Sequence, residues 1–127
     1  MSIELEKGLV TRLSGVAGGR IYPRTPQNAT RPFIRYQRIT TTRQQSLSGA
    51  VGVTEATLQV DCMADTYEGA KTVADAARAA LHGYSGAWGT LKAHLVHLQA
   101  ENDFSEQDGD KVTHWVSQRY QVWTNMS

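Results

Sequence analysis

One cysteine, Cys62, is the whole thiol content of this 127-residue chain. An intrachain disulfide and a cysteine-based zinc site are thereby excluded. Long apolar runs are also missing: no stretch approaches the length that crosses a bilayer, so no membrane partner is expected. Excess charge of one sign is nearly absent, since 13 Lys/Arg against 12 Asp/Glu leave +1. That balance gives no global pull toward nucleic acid or an acidic membrane. The opening Met1-Ser2-Ile3-Glu4-Leu5-Glu6-Lys7 is acidic and amphipathic, unlike a secretory signal. These features together suggest a protein made and used in a reducing cytosol.

What is present is ordinary for a globular domain, with 40% apolar and 20% charged residues. The length fits one domain, 1–127, whose core needs no staples. Leu5, Leu9 and Leu13 recur every four residues with Val10 beside them, which predicts a helix over 2–14 capped by Ser2. Gly8 weakens its interior, so this helix needs tertiary packing. Gly15, Gly18 and Gly19 end it, and Arg20-Ile21-Tyr22 is long enough only for an edge strand before Pro23 and Pro26.

Residues 33–41 predict a strand with apolar side chains on both faces, Phe33 and Ile39 against Ile34 and Tyr36. Residues 42–52 are polar and aperiodic, a mobile loop or long hairpin tip. Over 53–63 Thr54, Ala56, Leu58, Val60 and Cys62 alternate with Val53, Glu55, Thr57, Gln59 and Asp61, and the first set marks the inward face. A helix over 66–82 follows, its stripe built from Ala70, Val73, Ala74, Ala77 and Leu81, with Asp65 and Glu68 at capping-box spacing and Gly83 as the stop. Two strands close the chain, about 90–99 and 112–124. In the second, His114, Val116, Gln118, Tyr120 and Val122 oppose Thr113, Trp115, Ser117, Arg119 and Trp123. Between them residues 101–110 read as an acidic connector. The composition of 42–52 and 101–110 suggests segments that order only on assembly. Strands that follow one another without a crossover helix predict an α+β fold, a mostly antiparallel sheet with two helices packed on it.

Chemistry is sparse. Cys62 falls on the inward face and reads as a small core residue. His94 and His97, three apart on a strand, point to opposite faces and cannot share a metal. His82 sits at a helix C-terminus, where an imidazole needs no special role. Asp103, Asp108 and Asp110 lack the spacing and flanking helices of a calcium loop. Gly15 to Gly19 follows a helix and has no Gly-Lys-Ser/Thr end, so it is no phosphate cradle. No catalytic, cofactor-binding or metal-binding residue is assigned, and the chain is not expected to be an enzyme.

Charge is unevenly spread. Residues 1–60 carry eight bases against three acids, and residues 61–127 carry five against nine. Arg20, Arg24, Arg31, Arg35, Arg38 and Arg43 lie within 24 residues, near Tyr22, Phe33 and Tyr36. Basic and aromatic residues interleaved on strands can hold single-stranded nucleic acid. Arg35 and Arg38 point to opposite faces, however, and arginine is equally favoured in protein interfaces. Interface residues are therefore expected among Arg20, Tyr22, Arg24, Arg35, Arg38 and Arg43. They would meet acids of a neighbour's second half, with Tyr22 or Trp115 as apolar anchors. Reversing Arg35 or Arg38 to Glu is expected to impair assembly and spare the monomer's fold.

Certain segments carry a resemblance. Gly19-Arg20-Ile21-Tyr22-Pro23, Pro26-Gln27 and Pro32-Phe33-Ile34-Arg35-Tyr36-Gln37-Arg38-Ile39 come first. Leu58-Gln59-Val60-Asp61-Cys62, Asp65-Thr66-Tyr67, Ala76-Ala77-Arg78-Ala79-Ala80-Leu81 and Tyr120-Gln121-Val122-Trp123 follow. In this order they resemble the phage tail completion family, which includes tail terminators, also described as tail-to-head joining proteins. The Thr/Gln/Ser stretch at 41–48 and the acidic 101–110 segment depart from it. The resemblance implies a virion protein of the tail or neck, assembled in the host cytoplasm as a homo-oligomeric ring, usually six-fold. Its implied partners are further copies of itself, the tail tube protein and the head-tail connector, with DNA only passing through the lumen. A neck connector or stopper is the neighbouring alternative, and a single-stranded nucleic-acid-binding module the alternative from another class.

Overall fold

A computed structural model of the chain describes residues 4–23, 30–46, 49–88 and 91–125. Helix α1 (Glu4–Arg12) and a 3-10 turn (Ala17–Gly19) lead into strand β1 (Ile21–Tyr22). Strands β2 (Phe33–Ser46) and β3 (Gly49–Ala64) form a long hairpin, followed by helix α2 (Tyr67–Leu81). Strands β4 (Gly86–Trp88), β5 (Leu91–Asp108) and β6 (Lys111–Asn125) complete the chain. The six strands form one sheet in the order β1-β2-β3-β6-β5-β4. Every pairing is antiparallel except β1 with β2. The expected α+β architecture, a mostly antiparallel sheet carrying two helices, is what the chain adopts.

Both helices lie on one face, and the core sits between them and the sheet. Leu5, Leu9 and Leu13 of the first helix region are buried there. So are Ala70, Val73, Ala74, Ala77 and Leu81 of α2, the stripe its spacing predicts. Small alanines let the α2 backbone approach β3 and β6, where Ala56, Leu58, Val60, Cys62, Val116, Tyr120 and Val122 face it. Gln118 is a buried polar residue on the same face. Its amide nitrogen donates to the Ala74 carbonyl at 3.0 Å and to Glu101 at 2.8 Å, and its oxygen accepts from the Tyr120 hydroxyl at 2.8 Å. Both ends of the amide are satisfied, as burial requires.

Cys62 lies fully buried, 4.0 Å from the Gln118 amide oxygen. Burial, with Asp61 and Glu101 nearby, pushes its thiol far above the usual range. A thiol so held is a poor nucleophile. Cys62→Ala is therefore expected to cost only about 1 kcal/mol through lost packing. Thiol labelling checks the chemical part: the folded protein should resist alkylation that the unfolded chain undergoes at once.

Four points correct, narrow or add to the sequence reading. The N-cap of α2 is Thr66, whose hydroxyl accepts from the Gly69 N–H at 2.9 Å, while Asp65 turns away to Arg31 at 2.8 Å. A hydroxyl one residue later reaches the first-turn amide, so Asp65 is left for the ion pair. Second, residues 101–110 are no irregular connector: β5 and β6 stay paired from Ala93↔Thr124 through to Asp108↔Lys111, closed by Gly109 at φ 64°. Third, residues 42–46 pair with residues between 49 and 55 as the end of the β2–β3 hairpin, with an irregularity at Gln44/Gln45; this is the second of the two readings for that stretch. Fourth, β4 has no counterpart in the sequence reading. The Ser2 cap and Pro26 lie outside the described residues.

Candidate assembly surface

The sheet face opposite the helices carries no helix among the described residues, and its side chains fall into rows set by strand register. Phe33, Met63, Trp115 and Phe104 align across β2, β3, β6 and β5. Tyr22 of β1 adds its ring to this row, 6.1 Å from Phe33. At the far end Phe104 stacks on Trp115 at 5.5 Å and 21°. The centre of the row is buried, whereas Phe104 is 48% exposed.

The next row is polar: Arg35, Asp61, Ser117 and Asn102. Arg35 donates to one Asp61 oxygen through Nε at 3.0 Å and through a terminal nitrogen at 2.8 Å. Gln59 also donates to that carboxylate, at 3.2 Å. Asp61 is only 3% exposed, so its charge depends on these donors. Arg119 and Gln59 occupy the third row. The rows together floor a shallow hollow of about 420 Å³ lined by Arg35, Gln59, Asp61, Asn102, Trp115 and Arg119 among others.

The helix face holds its own ties. Arg38 points there and meets Glu6 of α1 at 3.6 Å, so Arg35 and Arg38 do face opposite ways. Arg20 donates to the Pro32 carbonyl at 2.8 Å and fastens β1 to the start of β2. Lys71 of α2 meets Asp103 of β5 at 2.8 Å, with the Tyr67 hydroxyl at 3.3 Å. The Lys71 hydrogen bond holds the Asp103 carboxyl below its ordinary range and raises the Lys71 ammonium in turn.

Of the six residues singled out from sequence, Arg20, Tyr22, Arg35 and Arg38 all engage their own chain. Arg24 and the side chain of Arg43 lie outside the described residues. They are not one patch: Tyr22 and Arg35 belong to the open face, Arg38 to the helix face. Phe104, Asn102 and Arg119 were missed, because their alignment with Arg35 depends on strand order. His82 is more than a bare surface imidazole, since its Nδ1 accepts the Leu98 N–H at 3.0 Å and its ring lies 5.5 Å from His97. Among the described residues no group of three or more His, Cys, Asp and Glu could hold a metal ion. No helix among them is long and apolar enough to cross a membrane.

No curated protein matches this chain. Among solved structures it is similar to a chain of the virion of the native gene transfer agent (GTA) particle. Identity is 12%, with a TM-score of 0.76 over 95% of this chain and 94% of that one. At that identity the likeness is one of fold. The family model described as tail completion protein gp17 matches residues 9–125, nearly the whole length from the Leu9 turn of α1 to the end of β6. This chain therefore belongs to the tail completion protein gp17 family and is a phage tail-associated structural protein with a role in tail assembly.

Proposed function

We propose that the protein is the terminator subunit of a phage or prophage tail. Copies close into a ring, six-fold in this reading, that caps the tail tube, stops its polymerisation and offers its other surface to the head connector. The observation that carries the reading is the family match over residues 9–125. Charge supports it: a ring needs two different, complementary surfaces on each subunit, and the chain is basic in its first half and acidic in its second. In this reading the protein performs no catalysis, binds no cofactor and meets DNA only as it passes through the lumen. The intrachain ties of Arg31, Arg35 and Arg38 weigh against a nucleic-acid module, because each cation already faces a carboxylate.

The test uses purified tube protein polymerising in the presence of this protein. Tubes should stop at shortened lengths with extra density at one end. Tubes of undiminished length, with the protein bound to isolated connector instead, would transfer the assignment to a neck connector or stopper.

A further inference from the structure

Two long backbone edges have no strand beside them among the described residues. β1 covers only Ile34 and Arg35 of β2, leaving the outer edge from Tyr36 to Ser46. On the other side β4 covers β5 from Leu91 to Ala93, and residues 82–84 bond Val96 and Leu98. The outer edge from Gln99 to Asp108 follows uncovered. Both edges run into hairpins that outreach the sheet, at opposite ends. Past Ala64↔His114, β5 and β6 pair only with each other as far as Asp108↔Lys111. Past Val53↔Asn125, among the described residues, β2 and β3 do the same as far as Ser46↔Gly49. A two-stranded ribbon is marginal in water, and an open edge is a template for another strand.

The edges are complementary in charge. The open stretch 36–46 carries Arg38 and Arg43 and no acid, whereas 99–108 carries Glu101, Asp103, Glu106 and Asp108 and no base, although Arg38 and Asp103 also meet Glu6 and Lys71 within the chain. Phe104 and Val112, two of the large apolar side chains exposed in this fold, sit on the acidic ribbon. Direction fits too. With β2–β3, β3–β6 and β6–β5 all antiparallel, β2 and β5 run opposite ways. Two copies side by side in the same orientation thus present antiparallel edges.

We propose that the occupant of the acidic edge is a second copy of this chain. Residues 99–108 of one subunit add to residues 36–46 of the next, so that the two sheets join. This deepens the ring reading and rests on it. The two edges differ, so the contact is head to tail and repeats from copy to copy until rotation closes it. Tyr36 is level with Glu101 through Val60 and Gln118, so the free stretches lie toward opposite ends. Neighbours then meet with a stagger of roughly 25 Å, about seven residues at strand rise. A closed ring absorbs such a stagger as strand tilt. The intrachain partners of Arg35 and Arg38 remain in place, and backbone pairing supplies the contact while charge sets its direction.

Hydrogen exchange on the full-length protein, at concentrations below and above association, reads the edges directly. Alternate amides of 36–46 and 99–108, those pointing outward, should slow at least tenfold on association. Glu106→Lys combined with Asp108→Lys should raise the concentration for half-association at least tenfold, with the monomer's thermal midpoint unchanged. An oligomer whose two edges exchange as in the monomer, or a double variant that associates like the parent, overturns the edge contact and leaves the ring reading standing. A protein that stays monomeric throughout, even when mixed with tube protein, overturns both.

Discussion

Trp88→Ala should destabilise the protein by about 3–5 kcal/mol, in the range for truncating a large buried aromatic side chain. Trp88 is the largest fully buried side chain, on a strand of only three residues. Its indole nitrogen donates to the Leu5 carbonyl at 2.8 Å, which ties β4 to the first turn of α1. Gly8 makes the approach possible. A Cβ there would lie 2.3 Å from Trp88 Cδ1, so the helix gives up a side chain to admit the ring. Alanine at Gly8 would gain about 1 kcal/mol of helix propensity. The collision with a ring that cannot retreat should outweigh that gain, leaving Gly8→Ala less stable by about 1–3 kcal/mol net. Urea unfolding measures both. A Trp88→Ala loss below about 1 kcal/mol would mean that α1 does not depend on this contact.

Arg35→Glu should destabilise the monomer by about 3 kcal/mol or more, because it sets a second carboxylate against the buried Asp61. The figure lies at the low end for a broken buried pair because the Arg35 side chain is 33% exposed. Arg38→Glu should cost less, about 1–2 kcal/mol, since its pair with Glu6 is longer, at 3.6 Å, and Glu6 is less deeply buried than Asp61. The sequence led to the expectation that both reversals spare the fold. For Arg35 the structure argues otherwise: Asp61, on the supposedly outward face of β3, is buried and needs the guanidinium. Thermal unfolding of the two variants separates the cases, and equal midpoints would show that Arg35–Asp61 contributes no more than Arg38–Glu6.

How much of this was legible depended on whether each signal was local. The leucine stripe of α1 and the alanine stripe of α2 could be read directly, because one helix face supplies the whole pattern. Inward positions of β3 and β6 could be read for the same reason, with period two in place of 3.6. The Gly8–Trp88 contact could not, since it joins residues eighty apart and Gly8 alone looks like a helix weakness. Three residues of β4 carry no period at all. The acidic ribbon at 101–108 was misread because its charges resemble a loop's, while its pairing resides in the backbone. The outward rows were half legible. Alternation separated Trp115, Ser117 and Arg119 from the core residues of β6, but only the order β2-β3-β6-β5 brings them beside Arg35. The family signature fared better, because the ordered segments span nearly the region that the family match covers.

Native mass spectrometry of the purified protein, paired with electron micrographs of the same sample, decides whether copies of this chain close into the proposed ring. One dominant closed species is expected, six copies of the chain, seen end-on as rings with an open lumen. Salt should slow its formation more than it dissolves finished rings, because exposed charges steer encounter and are screened within about 8–10 Å. A protein that remains monomeric at every concentration and salt level, alone and with tube protein present, would rule out the ring.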